Sequence, residues 1–160
     1  MAIALQKERN TMDLKDILIN SEGVITAITA TAANIDERHS LWDLIHDVRG
    51  MLIADKGLIG ADYQNELRQF AHINLQTATR SNMKETRSEK FVSWLKSTRR
   101  LVETVIAQLT ERFNIERVRA RKRWYLTNRI ARKVLAHTVA VFINKQKGNS
   151  PLQFELLLKP

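Results

Sequence analysis

Asp55 closes the apolar run Met51-Leu52-Ile53-Ala54, and Glu103 stands inside the basic stretch Arg99-Arg100-Leu101-Val102-Glu103-Thr104-Val105. A carboxylate at the tip of a buried strand and another on a cation-rich helix are the parts of a metal-dependent phosphoryl-transfer site. At the carboxyl end of a strand, Asp55 would reach into the crevice where α/β sheets place their ligands, with Lys56-Gly57 adding a cation and a flexible turn. The plainer alternative is an Asp that caps a turn or the next helix. Glu103 has Leu101, Val102, Val105, Ile106 and Leu109 around it, so it belongs near the edge of a buried stripe. Arg99 and Arg100 precede it by four and three residues, which leaves an ordinary intrahelical Arg–Glu pair as the competing reading. The two acids are far apart in the chain, so only the fold could make them neighbours. If it does, they would hold one or two Mg²⁺ ions that activate a water or a 3′-hydroxyl.

Other chemistries find little support. His39, His46, His72 and His137 lack the spacing of a zinc site, and His137, at helical spacing from Val134 and Val141, reads as a core residue. There is no glycine-rich phosphate loop and no nucleophile–histidine arrangement. A second constellation is Arg117-Val118-Arg119-Ala120-Arg121-Lys122-Arg123-Trp124-Tyr125, which interleaves cations with aromatics. Its arginines and Lys122 are candidates for phosphate contacts. Trp124 and Tyr125 have two readings, core residues below a basic loop or rings that stack on an exposed base.

Charge agrees with a polyanionic partner. The formal net charge is +9, and it is unevenly spread. Residues 1–70 carry 7 Lys/Arg against 11 Asp/Glu, whereas residues 71–160 carry 19 against 6. Arg112 to Lys133 holds nine basic residues with Glu116 as its acid. Such a segment faces either solvent or nucleic acid, and its concentration favours DNA. A chain of 160 residues is enough for one domain with a real core. No apolar run is long enough to span a bilayer, so no membrane partner is expected. Cysteine is absent, which excludes disulfides and thiolate metal sites and fits a cytoplasmic location.

The elements that would position these residues follow from periodicity. The first dozen residues have no period and read as a frayed or short helical start. Ile17-Leu18-Ile19 and Val24 to Thr31 flank Asn20-Ser21-Glu22-Gly23 and read as a hairpin, the second strand covered on both sides. Ser40-Leu41-Trp42-Asp43 has the form of a capping box opening a helix with Leu41, Leu44, Ile45 and Val48 inward and Gly50 as its stop. The strand ending at Asp55 follows, then a helix over about 61–71 and a strand over 73–77. Alternating strands and helices predict an α/β domain with parallel pairing. Residues 80–89 read as a loop. Beyond them helical spacing runs from Phe91 to Phe113 and from Leu126 to Phe142, the latter stopped by Pro151, with residues 152–158 as a closing strand or packed tail.

Taken together, Ala54-Asp55-Lys56-Gly57-Leu58-Ile59-Gly60, Arg99-Arg100-Leu101-Val102-Glu103-Thr104 and Gln108 through Glu116 resemble bacterial insertion-sequence transposases of the DDE class. Within that class the chain is most similar to insertion-sequence family nine-eighty-two. Leu126-Thr127-Asn128-Arg129, Arg132 through His137, Gly23 through Thr26 and Ala33 through Arg38 extend the likeness, which covers about residue 17 to the C-terminus. The resemblance implies an RNase H-like fold, a mixed sheet flanked by helices, here N-terminally truncated and with a helical C-terminal half. It implies that residues 1–16 are a non-matching segment and 17–160 a partial catalytic domain. Asp55 would match the second catalytic Asp and Glu103 the catalytic Glu, both as Mg²⁺ ligands, with Lys56, Arg99 and Arg100 near substrate phosphates. The implied reaction is Mg²⁺-dependent cleavage at the element's DNA ends and strand transfer into target DNA. Two departures stand out: Leu58 occupies a position that usually carries Tyr, and no acid matches the first catalytic Asp. Asp13 and Asp16 lie in the wrong place, and the strand that should carry the first Asp is expected to be missing, leaving an open sheet edge. The chain is therefore expected to be catalytically incomplete. The alternative is a binding protein that pairs with full-length transposase or with itself, or occupies transposase DNA sites, and so modulates transposition.

Overall fold

The computed structural model describes residues 2–5, 13–31 and 36–157. Among them, five strands form one sheet: β1 (Ala2–Leu5), β2 (Asp13–Ile19), β3 (Ile25–Thr31), β4 (Gly50–Ala54) and β5 (Ile73–Thr77), in the order β3-β2-β1-β4-β5. β1 is antiparallel to β2, with Ala4 opposite Ile17, and parallel to β4, with Ala2 opposite Ile53. β2 and β3 are antiparallel, whereas β4 and β5 pair in parallel from Gly50–Ile73 to Ala54–Thr77. The helices are α1 (Glu37–Leu44), α2 (Ala61–Phe70), α3 (Glu89–Glu111) and α4 (Arg123–Gln146). This is a mixed, RNase H-like sheet flanked by helices, with a helical C-terminal half.

Strand alternation sorts the core into two layers. Leu18, Leu52 and Ala54 pack with Leu41, Leu44, Ile45, Val48, Tyr63 and Leu67 from the α1–α2 side. Ile17, Ile19 and Ile53 face the other way, onto Leu95, Val102, Val105 and Leu109 of α3. Each buried Leu, Ile or Val among them contributes roughly 1.5–3 kcal/mol, so the sheet is clamped from both faces. The hairpin and its turn are as expected: Asn20 Oδ1 accepts from the backbone N–H groups of Glu22 and Val24, at 2.9 and 3.0 Å.

The N-terminus departs from expectation. Ala2–Leu5 is neither a frayed start nor a helix; it fills the place between β2 and β4 where a strand was expected to be missing. There it satisfies the backbone groups of two strand edges at once, a gain that outweighs the poor strand propensity of alanine. Residues 6–12 of that segment lie outside the described residues.

Other boundaries shift for local reasons. α1 is capped by Asp36, whose carboxylate accepts from the Arg38 N–H at 2.9 Å, and Ser40 is buried inside the helix rather than opening it. Gly50 begins β4 at φ +89° instead of ending a helix. α4 stops at Gln146, ahead of Pro151, because Gly148 takes φ +72° and the Asn149 N–H returns to the Asn144 carbonyl at 2.9 Å. The tail is packed, not a strand: Phe154–Leu157 forms a 3₁₀ turn with Phe154 buried.

His137 is a core residue, fully buried on α4. Its Nε2–H donates to Gln108 Oε1 at 3.0 Å, since the Gln108 amide nitrogen already donates to the Leu152 carbonyl at 2.6 Å. Phe113 and Phe154 close its other sides with edge-on rings. Burial lowers its pKa from 6.5 to about 4. Because the unfolded chain binds this proton more readily, stability is full above about pH 6.5 and falls as pH drops toward about 4, by up to roughly 3 kcal/mol. Urea titrations across that window will show this slope, and His137→Gln, which keeps a donor without titrating, will flatten it.

Candidate acidic centre and basic surface

β4 and β5 are parallel neighbours, so their carboxyl ends and the loops that follow share one edge of the sheet. Asp55 sits at that edge immediately after Ala54, and the Leu58 N–H bonds back to its carbonyl at 3.2 Å. Its side chain is partly exposed and makes no side-chain cap to the short turn Lys56–Leu58, so the capping alternative is set aside. Alternation puts Asp55 on the same face as Ile53, toward α3. There Arg99 meets it: guanidinium Nη2 lies 3.0 Å from Asp55 Oδ1.

α3 is laid across β1 and β4 by its stripe of Leu95, Val102, Val105 and Leu109. Ser88 opens it, accepting from the Phe91 N–H at 3.3 Å, with Glu89 in the first turn where the helix dipole favours an acid. Glu103 stands one turn beyond Arg99 and is exposed. Arg99 therefore turns to Asp55 across the sheet edge, where an intrahelical pair with Glu103 was the plain expectation. Arg100 and Lys56 are exposed nearby in sequence to the pair, with no ion pair within 4 Å among the described residues.

Asp16 lies elsewhere. It is buried on β2 with the parity of Leu18, toward α1 and α2, where it raises the Tyr63 pKa together with the larger effects of burial and Glu66. A residue on that face cannot meet Asp55 on the other. β1, the strand next to β4, is Ala-Ile-Ala-Leu and carries no carboxylate. Among the described residues no three His, Cys, Asp or Glu side chains come together as a metal site. A hard divalent cation needs several oxygen ligands at about 2.0–2.6 Å. Asp55 with a guanidinium on one oxygen, and an exposed Glu103, do not fit a three-carboxylate centre.

Two residues near this edge were missed in the sequence. Arg80, in the loop after β5, donates to the Lys56 carbonyl at 3.2 Å and so fixes the turn after Asp55. Arg87 organises the same loop: it grips both carboxylate oxygens of Glu85 at 2.7 Å and donates to the Thr77 carbonyl at 3.0 Å. That fork, with the Thr79 hydroxyl, holds the Glu85 carboxyl well below its usual range. The signal for both was topological, since parallel strands bring their following loops together.

The second constellation is a surface. Arg117, Arg119, Arg121, Lys122 and Arg123 are all exposed, while Ile115 is buried and Val118 half-buried against the α3–α4 core. Arg129 donates to the Arg119 carbonyl, and Lys133 to those of Phe113 and Asn114. The segment's backbone is thereby tied to α4 and its cations point outward. Trp124 and Tyr125 are exposed too, which removes the reading of them as core aromatics. In the first turn of α4 it is Leu126 that packs against the α3–α4 core, and Ile130 continues that inward face, so Trp124 and Tyr125 stay outside it.

The Asp55–Arg99 contact is partly exposed, so its contribution is small. A double-mutant cycle of Asp55→Ala and Arg99→Ala, read by urea denaturation, will give a coupling below about 1 kcal/mol.

A family model described as a transposase DDE domain matches residues 13–123, which is more than half of the chain. Searches of the curated proteins and of the solved structures return no match. On the family match, carried by a sheet of the corresponding mixed type with Asp55 at its edge, the chain belongs to the transposase DDE domain family.

Proposed function

We propose that this chain is a transposase-family domain that holds DNA through its C-terminal half and performs little or no strand cleavage alone. Domains of this family generally engage DNA ends and use Mg²⁺. In this reading Asp55 and Glu103 descend from the second and third acids of the catalytic set, and the first has no counterpart on β1. The observation that carries it is Arg99 on Asp55: a guanidinium 3.0 Å away balances the carboxylate that the family's chemistry would give to a metal. Cleavage and strand transfer are therefore activities of the family rather than of this chain by itself.

DNA binding rests on the outward row of Arg117, Arg119, Arg121, Lys122 and Arg123, whose charge faces solvent without acidic partners among the described residues. Lys56 and Arg100, both exposed, extend the positive surface toward the sheet edge, whereas the Arg99 charge is engaged by Asp55 and reaches a phosphate only if that pair opens. Phosphate contacts of this kind displace counterions, so affinity falls steeply as salt rises. Membership of the transposase DDE domain family supports element ends as the bound DNA, and the resemblance to insertion-sequence family nine-eighty-two would narrow them to the ends of such an element.

Two results test this. Duplex DNA binding will weaken with salt, and replacing Arg117, Arg119 and Arg121 together by Ser will lower the slope of log affinity against log salt by about 3. With Mg²⁺ present, the wild-type chain will leave a labelled DNA end uncut, as will Asp55→Ala. Cleavage by the wild type that disappears in Asp55→Ala would refute the incomplete centre.

A further inference from the structure

α4 opens on two large rings that the core leaves out: Trp124 is 71% exposed and Tyr125 55%. Such rings forgo the hydrophobic gain of burial unless a partner covers them. Their surroundings name the partner's charge. Arg119, Arg121 and Arg123 are exposed within a few residues, and α4 itself contains no Asp or Glu. The nearest acid upstream, Glu116, is engaged by the Thr110 hydroxyl at 3.0 Å.

The polar neighbours on the helix do not cap the rings. Thr127 Oγ1 donates back to the Arg123 carbonyl at 3.1 Å, and Asn128 Nδ2 to the Trp124 carbonyl at 2.9 Å. The segment before α4 is anchored through its backbone by Arg129 and Lys133, so cations and rings are held on one rigid base. A π-face beside phosphate-binding cations fits a nucleic-acid base that is not already stacked in a duplex. An apolar protein segment fits less well, because the surrounding cations would stay unpaired against it.

We propose that Trp124 and Tyr125, with Arg119, Arg121 and Arg123 beside them, form a stacking site for an unpaired DNA base adjoining the duplex. The proposal rests on the DNA-binding reading above and deepens it: the cations supply affinity for any DNA, and the rings select a frayed or single-stranded end. Stacking tolerates sequence, since every base has a π-face, so the site reads strand state rather than base identity.

The test compares the full chain's affinity for a blunt duplex and for the same duplex with a short unpaired 3′ tail, at one salt concentration. The tailed DNA will bind roughly tenfold tighter, the size of one base–aromatic stack. Trp124→Ala will remove most of that advantage and leave the blunt duplex unaffected within about twofold, whereas Trp124→Phe will keep it. Tyr125→Ala gives an independent second variant. Equal affinity for the two DNAs, or a tail advantage that survives loss of both rings, overturns the stacking site. Failure to bind either DNA overturns the DNA-binding reading itself, and the stacking site with it.

Discussion

Side chains alternate across a strand, and in this molecule both sides of the sheet must be covered. Ile17, Ile19 and Ile53 go to α3, while Leu18, Leu52 and Ala54 go to α1 and α2. The same parity carries Asp55 toward α3 and Asp16 away from it. One geometric constraint therefore decides which acid can reach the helix that bears Arg99 and Glu103. It also decides that Asp16, though close to β1 in register, belongs to the opposite layer.

The second organising force is charge. The apolar stripe of α3 fixes the helix over β1 and β4, and its Arg99 then settles on the acid that the sheet edge presents. Arg99 finds Asp55 at 3.0 Å; Arg80 and Arg87 fasten the adjoining loop to carbonyls and to Glu85. Farther along, Arg129 and Lys133 spend their charge on backbone carbonyls, and the cations of residues 117–123 are left for solvent or a polyanion. The molecule thus separates cations that build its structure from cations available for binding.

Much of this was legible in the sequence because it depends on local pattern. The hairpin, α2, β5, the α3 stripe, the core His137 and the place of Asp55 at a strand end all follow from periodicity and turn chemistry. What failed depended on tertiary context. Ala2–Leu5 has little strand propensity and becomes a strand because two edges await it. Trp124 and Tyr125 look like core residues until Leu126 and Ile130 take the inner face at the start of α4. Arg99 could be paired with Glu103 by spacing, and only the packing of α3 on the sheet reveals Asp55 as its partner.

In the proposed reading Asp55 and Glu103 are what remains of a transposase-type centre and do not hold a divalent ion together. Amide resonances recorded while Mn²⁺ is titrated into the full chain test it most directly, because the paramagnetic ion broadens only signals near where it binds. The account predicts no selective broadening around Asp55 and Glu103 until Mn²⁺ reaches concentrations that broaden surface acids generally. Selective loss of the signals of residues 54–57 and 102–104 at low Mn²⁺ would contradict it.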